Sequence, residues 1–209
     1  MSLQPSPELS PVAVETGEFS PSERSLLLRL AHESILSALG HRTMGHRDTE
    51  HREIPLDPPS THLAEPRGVF TSLYLRGELR GCVGYALPIS SVYRAVADTA
   101  RAAAFEDTRF PPVTLPEARE LQIELSILSV PQPISPDAIE IGRHGLLISL
   151  AGRRGLLLPQ VPTEHHWDRA TFLAQTCRKA GLPLDTWKDA WQKGATIEAF
   201  TAEIFGDKH

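Results

Sequence analysis

The sequence is short of cysteine, of positive charge and of long apolar runs. It has only two cysteines, and with no secretion signal at the N-terminus we expect both to remain reduced thiols in the cytoplasm. Lys and Arg number 21 against 26 Asp and Glu, so clustered positive charge for nucleic-acid phosphates is not expected. Its apolar runs fall well short of the roughly 20 residues of a membrane helix. These absences predict a cytoplasmic protein that binds neither nucleic acid nor membranes.

Several common catalytic signatures are missing as well. The chain contains no G-x-G-x-x-G, no phosphate-binding loop, no H-E-x-x-H and no G-x-S-x-G pattern. The usual dinucleotide, nucleotide, zinc-protease and serine-hydrolase sites are therefore not expected. The sequence predicts no cofactor and no metal.

What the sequence does contain is a clear β-hairpin over residues 68–85, GVFTSLYLRGELRGCVGY. Two alternating runs are separated by a short turn at Arg76-Gly77-Glu78, which is typical of paired antiparallel strands. Alternation divides the second run between two faces. One face should carry Leu79, Gly81, Val83 and Tyr85. The other should carry Arg80, Cys82 and Gly84.

The remaining patterns predict an α+β fold with antiparallel sheet. Residues 1–18 are rich in Pro, Ser and Glu and predict a mobile tail, with the folded domain at 19–209. Strands come in hairpins rather than in a βαβ alternation. Helices are expected from a Ser20 cap to Gly40, from Ser90 or Ser91 to Glu106, and over 163–180, and strands over 121–129, 146–150, 156–161 and 197–205.

Cys82 is the leading candidate for chemistry. A thiol reacts as its thiolate, which nearby cations favour, and Arg80 and Arg109 are the expected cations. The glycines at Gly81 and Gly84 suggest access to the thiol, and a bare backbone at Gly84 would leave room for another group. The alternative is that Cys82 is a small buried filler, as most free cysteines are.

Other candidates have equally plain structural alternatives. His144, in a glycine-bounded turn, is either a catalytic base or a turn residue bonded to local backbone. Asp107 with Arg109 is either part of a site or, as we favour, a capping carboxylate in an ion pair. Glu124 is either a pocket acid or, as we favour, an exposed polar residue. Gln160, expected at a strand end, could orient a ligand through its amide.

The histidines of residues 41–67 and the second cysteine are expected to be unreactive. His41, His46 and His51 recur at intervals of five, which fits neither a helix face nor a strand. A metal site is possible there, but zinc ligands usually come in closer pairs, so we favour a solvated loop. Cys177 lies among apolar residues of a predicted helix, and we favour a core role.

Leu79-Arg-Gly-Cys-Val-Gly84 resembles the LRGC(I/V)G signature of the AMMECR domain family, called AmmeMemoRadiSam system protein A in prokaryotes. Supporting blocks follow in the same order and cover roughly residues 20–206. They include DxRFxP at 107–112, GxHG at 142–145, GLLLPQV at 155–161 and KAGL at 179–182. The chain departs from the family pattern at 162–166, PTEHH.

The resemblance implies two subdomains, each an antiparallel sheet with flanking helices, and a cleft between them that the LRGCVG segment faces. It also implies a pathway shared with Memo-like and radical-SAM proteins, without supplying a reaction. The leading hypothesis is a cleft site in which Cys82 is the nucleophile for a small anionic substrate, with His144 as a base. The alternatives are a non-catalytic ligand-binding or protein-interaction module and, less favoured, a metal site that uses Cys82 and His144.

Overall fold

The computed structural model describes residues 17–43 and 57–207. This part of the chain forms six α-helices and eight strands. The helices are α1 (Pro21–Thr43), α2 (Val92–Phe105), α3 (Leu115–Ala118), α4 (Gln160–Glu164), α5 (Arg169–Lys179) and α6 (Ala190–Lys193). The strands are β1 (Val69–Leu75), β2 (Glu78–Tyr85), β3 (Leu121–Leu128), β4 (Gln132–Pro133), β5 (Gly145–Leu150), β6 (Arg153–Leu157), β7 (Thr196–Phe200) and β8 (Ala202–Gly206). No helix among these residues is long and apolar enough to span a membrane.

The strands form two four-stranded antiparallel sheets, which confirms the predicted α+β class. The first sheet has the order β2-β1-β3-β8 and the second has the order β4-β7-β5-β6. Helices α1 and α2 pack on the first sheet around one apolar core, and α5 packs on the second around another. The cleft that the resemblance implies stays a prediction.

Helix α1 begins as the sequence predicts and ends later. The Glu23 carboxylate accepts from the Ser20 backbone N–H at 2.9 Å, and the Ser20 hydroxyl accepts from the Glu23 N–H at 3.3 Å. These two bonds form a capping box, in which the predicted Ser20 cap and Glu23 satisfy each other's backbone N–H. The expected stop at Gly40 is wrong, because the helix continues to Thr43. A glycine in a helix interior destabilises the helix by about 1 kcal/mol relative to alanine. This is too little to end a helix whose other residues favour it.

The β1–β2 hairpin is confirmed, with one change of face. Its two-residue turn places Arg76 and Gly77 at φ of 54° and 84°, as a tight hairpin requires. The pairing then shifts: Leu73 pairs with Gly81, but Tyr74 pairs with Leu79, so Arg80 is the extra residue of a bulge. Leu79 therefore shares a face with Tyr74 and is 39% exposed, whereas the alternation predicts that it shares a face with Gly81.

Two expected elements between residues 156 and 180 have different bounds. The strand expected over 156–161 ends at Leu157, and Gln160 begins helix α4 instead. The helix expected over 163–180 is interrupted between α4 and α5, where His166 has a φ of 53° and Asp168 caps α5 by accepting from the Thr171 N–H at 2.7 Å. Pattern reasoning missed this break because no glycine or proline marks it.

The expected strand 197–205 is in fact two strands in two sheets. Strand β7 belongs to the second sheet and β8 to the first, and the chain crosses at Thr201. The Ser129 N–H donates to the Thr201 carbonyl at 2.9 Å, and the Thr201 N–H donates to the Ser129 hydroxyl at 3.0 Å. The two crossing segments are thus bonded to each other.

The predicted tail and histidine loop lie mostly outside the described residues. Residues 1–16 and 44–56, with His46 and His51, are not described, and neither is the His41 side chain. Within the predicted tail, Glu18 is described. Its N–H donates to the Glu203 carboxylate of β8 at 2.6 Å, so contacts with the folded domain begin before residue 19.

Candidate functional site

Cys82 lies on the edge strand β2, on the sheet face that α1 and α2 leave open. Its cross-strand partner is Ser72 of β1. The neighbouring residue Thr71 points the other way, since its hydroxyl bonds to Thr99 of α2 at 2.8 Å. The Ser72 hydroxyl donates to the Cys82 sulfur at 3.4 Å, and the thiol is half-buried. The site therefore begins as a thiol and a hydroxyl side by side on an open sheet face.

Asp107 and Arg109 close the free edge of β2 beside this thiol. The Cys82 N–H donates to Asp107 Oδ2 at 2.9 Å, and Arg109 Nη2 donates to the Cys82 carbonyl at 3.4 Å. These two side chains take the place of the strand that β2 lacks on this side. Because an unpaired edge invites pairing with another chain, this contact also protects the sheet.

Asp107 and Arg109 are also bonded to each other, and their exposures differ. Arg109 donates to Asp107 from Nε at 2.9 Å and from Nη2 at 2.7 Å. Its hydrogen bonds, helped by that of the Cys82 N–H, hold the pKa of Asp107 well below the usual range. The Asp107 side chain is 7% exposed and the Arg109 side chain 57%. The favoured expectation of an ion pair is thus what the contacts show, with the cation turned to solvent beside the thiol.

Arg80 is engaged elsewhere. At the bulge its side chain, 11% exposed, donates from Nε to Glu117 Oε1 at 3.0 Å. It also donates from Nη1 to the Pro111 carbonyl at 2.8 Å and from Nη2 to the Pro112 carbonyl at 3.4 Å. The bond with Arg80 lowers the pKa of Glu117 to about 2. Arg80 therefore ties β2 to the segment after α2, and its donors are not free for a ligand.

The glycines beside Cys82 serve packing. A Cβ on Gly81 would lie 2.2 Å from the Ala103 carbonyl oxygen of α2, so the helix rests directly on the strand. The buried residues of α2 are mostly alanines, and these small side chains make this approach possible. A Cβ on Gly84 would lie 2.2 Å from the Phe70 ring. The room expected at Gly84 is therefore filled by Phe70 rather than left open.

Glu124 extends the polar row across the sheet. It pairs with Ser72 from the opposite side, so Cys82, Ser72 and Glu124 follow one another across three strands. Glu124 is half-buried rather than fully exposed. Burial raises the pKa of the neighbouring Tyr74, and the Glu124 charge adds to that effect. Pattern reasoning missed Ser72 and Tyr74, because the regular register of a two-residue hairpin turn would place Thr71 opposite Cys82, and only the bulge at Arg80 brings Ser72 there.

His144 and Gln160 are placed away from this row by their contacts. The Glu140 N–H donates to His144 Nδ1 at 3.0 Å, and the His144 N–H donates to the Glu140 carbonyl at 3.0 Å. These contacts match the turn alternative, and among the described residues no hydrogen bond joins His144 to Cys82. His144 also lines a small cavity of about 220 Å³ at the crossing between the sheets. Gln160, expected at a strand end, is an exposed residue of α4.

The second cysteine and the one described metal-like cluster offer little chemistry. Cys177 is fully buried in the core of the second sheet, and burial raises the pKa of its thiol. Glu18, His62 and Glu65 place three ligand atoms within 4.8 Å of one another. The Arg67 guanidinium, however, bonds to both carboxylates, so a fixed cation already holds the position that a metal would need.

The chain is similar in sequence to known proteins and similar in fold to a solved structure. A family profile described as AMMECR1 matches residues 28–205. Protein MK0488 of Methanopyrus kandleri is 39% identical over 207 residues, which cover 94% of this chain and 91% of the relative. Protein TK0174 of Thermococcus kodakarensis is 41% identical over 206 residues, which cover 93% and 92%. The crystal structure of protein PH0010 from Pyrococcus horikoshii superposes with a TM-score of 0.65 at 38% identity, covering 88% of this chain and 91% of that one. The chain belongs to the AMMECR1 family.

Proposed function

We propose that Cys82 is the reactive group of a site for a small anionic molecule on the open face of the first sheet. The observation that carries the proposal is the position of its sulfur. The thiol is half-buried, accepts a hydrogen bond from Ser72, and lies on the residue whose carbonyl is held by the exposed Arg109. A nucleophile, a hydrogen-bond donor to it and a solvent-facing cation are thus within one small area.

Arg109 is the anion-holding group of the site. Asp107 keeps it in place through Nε and Nη2, and the Asp107 hydrogen bonds raise the pKa of the guanidinium further. Among the described residues its Nη1 has no hydrogen-bond partner. A carboxylate or phosphate next to Cys82 can therefore bond to Nη1 without displacing the contacts that close the strand edge.

The chemistry proposed for Cys82 is nucleophilic addition. The sulfur forms a bond to an electrophilic carbonyl carbon, the π electrons of the C=O bond move to its oxygen, and the proton lost by the thiol ends on that oxygen. The Ser72 hydroxyl lies next to the sulfur along the path of that proton. Glu124 follows in the same row, opposite Ser72 on the neighbouring strand. His144 has no part in the step.

The test compares an anionic and a neutral alkylating reagent on the intact protein. Iodoacetate and iodoacetamide differ chiefly in charge, and peptide mass spectrometry reports Cys82 and Cys177 separately. We expect Cys82 to react at least about tenfold faster than the buried Cys177. Arg109→Gln should lower the iodoacetate-to-iodoacetamide rate ratio at Cys82 about fivefold, the effect of roughly 1 kcal/mol from one nearby charge.

Two control variants show whether an effect of Arg109→Gln comes from the lost charge or from a general effect of replacing an arginine. Arg109→Lys keeps the positive charge and should keep most of the rate ratio. Arg76→Gln removes an arginine that is 80% exposed at the hairpin turn, and it should leave the ratio unchanged. A ratio that is the same in wild type and Arg109→Gln would contradict the anion-holding role, and slow labelling of Cys82 by both reagents would contradict its reactivity.

The alternative is a site that binds a small molecule or a protein without covalent chemistry. It is favoured by the contacts of Arg80, Asp107 and His144, each of which bonds to backbone groups. Untargeted mass spectrometry of molecules that copurify with wild type, Cys82→Ser and Arg109→Gln distinguishes the two functions. A ligand that is retained non-covalently by Cys82→Ser and lost from Arg109→Gln would favour binding alone.

From the family resemblance we further propose a cytoplasmic role in a pathway with Memo-like and radical-SAM proteins. The support is the resemblance of the LRGCVG segment and its ordered companions, rather than any contact in the fold. Coexpression of the three proteins from one source, followed by affinity capture of this chain, tests the association. Capture of neither protein, also after cross-linking, would contradict direct contact.

A further inference from the structure

A groove of about 480 Å³ lies along the outer edge of the second sheet. One wall carries Trp187 and Trp191, from the turn before α6 and from α6 itself. The opposite wall carries Pro133, Ile134 and Pro136, from β4 and the segment after it. Trp187 packs partly into the core, whereas the Trp191 side chain is 92% exposed. Trp191 thus extends the mainly apolar lining of the groove into solvent, and tryptophan is enriched at binding surfaces.

The groove offers ring faces and N–H donors rather than charge of one sign. Its charged residues are Lys188, Asp189 and Glu198. Asp189 lies 3.8 Å from the Lys193 ammonium, and Lys188 lies 5.9 Å from the centre of the Trp187 ring. An indole N–H can only donate a hydrogen bond. The best-matched occupant is therefore apolar, rich in carbonyl acceptors and poor in donors.

A proline-rich chain has this chemistry. Proline has no backbone N–H, its neighbours adopt an extended conformation with free carbonyls, and its ring packs flat on an indole. Aromatic grooves that recognise such segments use both properties. Because the groove is lined mainly by tryptophan and proline, charge contributes little to the choice of occupant. A proline-rich segment would be recognised by contacts between rings and by hydrogen bonds from the indole N–H groups.

We propose that the occupant is residues 1–16 of this same chain, MSLQPSPELSPVAVET. The segment has prolines at Pro5, Pro7 and Pro11. Between them its one charged side chain is Glu8, for which Lys188 is the complementary charge in the groove. The interaction is independent of the Cys82 site and of the function proposed for it.

The segment is attached at a point from which it can reach the groove. The Glu18 N–H is held by Glu203 of β8, and Glu198 of β7 lines the groove five residues earlier in the chain. At about 3.3 Å a residue, those five residues span about 17 Å. The six residues from Pro11 to Gly17 span up to about 20 Å. The prolines can therefore reach the groove, and a tether of this length gives an effective concentration of about 1 mM.

The test measures the accessibility of the Trp191 indole in the full-length chain. Two-dimensional ¹H–¹⁵N spectra show one indole N–H signal for each tryptophan, and Trp191→Phe assigns the one of interest. A soluble gadolinium chelate broadens signals of exposed protons. If the segment covers the groove, Pro5→Ser, Pro7→Ser and Pro11→Ser combined should increase the broadening of the Trp191 signal at least about twofold, since each lost ring contact uncovers the indole. The Trp167 signal should not change.

A matched variant and a dilution series complete the test. Ser2→Ala, Ser6→Ala and Ser10→Ala combined change the same segment but keep its prolines, and should leave the Trp191 signal as in wild type. Equal broadening of the Trp191 signal in wild type and in the proline variant would overturn the proposal. Protection that grows between about 20 and about 400 µM protein would also overturn it in favour of a second copy, because a tethered segment at about 1 mM is insensitive to dilution.

Discussion

The hairpins β1–β2 and β5–β6 belong to different sheets and are built alike. Each turns through two residues of positive φ, Arg76-Gly77 in the first and Ala151-Gly152 in the second. Each second strand then has a glycine beneath a helix. A Cβ on Gly81 would lie 2.2 Å from an α2 carbonyl oxygen, and a Cβ on Gly155 would lie 2.3 Å from the Ala180 nitrogen at the end of α5. The same solution to close helix–sheet packing thus appears in both sheets.

Arginine is used in the same way in both hairpins. Arg80 donates to the Pro111 carbonyl after α2 at 2.8 Å, and Arg153 donates to the Gly181 carbonyl after α5 at 2.8 Å. In each case a strand side chain satisfies a carbonyl that follows the covering helix. Both carbonyls belong to the loops that follow the helices, where no ladder of helix hydrogen bonds supplies a partner. The arginine and glycine beside Cys82 therefore have a structural counterpart in a hairpin that has no thiol.

The difference between the hairpins lies in the residue after the glycine. In β2 this residue is Cys82, paired with the Ser72 hydroxyl, whereas in β6 it is Leu156, paired with Leu147. The glycine and arginine of the LRGCVG segment are therefore explained by the fold. The packing of the fold does not explain the Cys82 thiol or the row that it forms with Ser72 and Glu124. The proposed function therefore rests on these residues.

The largest expected effect comes from filling the space under either helix. Gly81→Ala and Gly155→Ala should each lower the free energy of unfolding by about 3 kcal/mol, because the new Cβ meets backbone atoms that cannot move aside. Urea unfolding followed by circular dichroism measures the loss. A loss in only one of the two variants would break the likeness between the hairpins.

Gly77→Asn is the matched control for these glycine variants. A Cβ at Gly77 would meet nothing within 4 Å, and asparagine tolerates its positive φ of 84°. We expect a loss below about 1 kcal/mol for this change. A loss as large as that of Gly81→Ala would show that any substitution of a hairpin glycine is costly, whatever its packing.

The arginine contacts should differ in strength and in pH dependence. Arg80 is largely buried with Glu117, so Arg80→Gln should cost about 2 kcal/mol near neutral pH, whereas the exposed Arg153→Gln should cost below about 1 kcal/mol. The pKa of Glu117 falls from 4.5 to about 2 on folding. Its contribution is therefore full above pH 4.5 and is lost as the pH falls towards 2.

Urea unfolding of wild type and Arg80→Gln at several pH values tests this contribution. The difference in free energy of unfolding between the two proteins should shrink as the pH falls from 4.5 towards 2. A difference that stays constant down to pH 2 would show that Arg80 acts through its carbonyl contacts alone. Glu117→Gln, which keeps the shape of the side chain, should show the same narrowing.

A smaller, local effect is expected at the edge of β2. Asp107→Asn removes the carboxylate that accepts from the Cys82 N–H and holds Arg109, so it should cost about 1.5 kcal/mol. Hydrogen exchange of the Cys82 amide should become roughly tenfold faster, which corresponds to about 1.4 kcal/mol of local protection. Amides of β6 serve as the control, and equal acceleration there would mean a global rather than a local effect.

Much of the fold followed from the sequence, and the misses have physical causes. The hairpin, the Ser20 and Ser91 caps and the antiparallel sheets rest on local rules, and the structure confirms them. The crossing at Thr201 was missed because strand alternation does not report a change of sheet. Leu79 was misplaced because a bulge leaves no mark when its extra residue is a long polar one.

Less of the site could be predicted than of the fold. Cys82, Asp107 and Arg109 could be predicted as site candidates from their residue types. In the structure, Asp107 and Arg109 both form hydrogen bonds with the backbone of Cys82. The competing engagement of Arg80 with carbonyls and the filling of the Gly84 space by Phe70 depend on tertiary packing, which no short pattern encodes.

The smallest expected effect comes from His62, in the loop before β1. The pH dependence of its contribution to stability is opposite to that of Glu117. The hydrogen bond to Glu23 raises the pKa of His62, and this pair joins the loop before β1 to the start of α1. A raised pKa means stabilisation that is full below the ordinary value of 6.5 and is lost as the pH rises past the raised one. His62→Asn should therefore cost below about 1 kcal/mol at pH 5 and less still at pH 9.

Urea unfolding at the two pH values measures this cost, with exposed His165→Asn in the second half of the chain as the control. A His62→Asn cost that grows with pH would mean that the histidine stabilises this junction by packing on Phe19, whose ring lies 4.6 Å away, rather than by its charge.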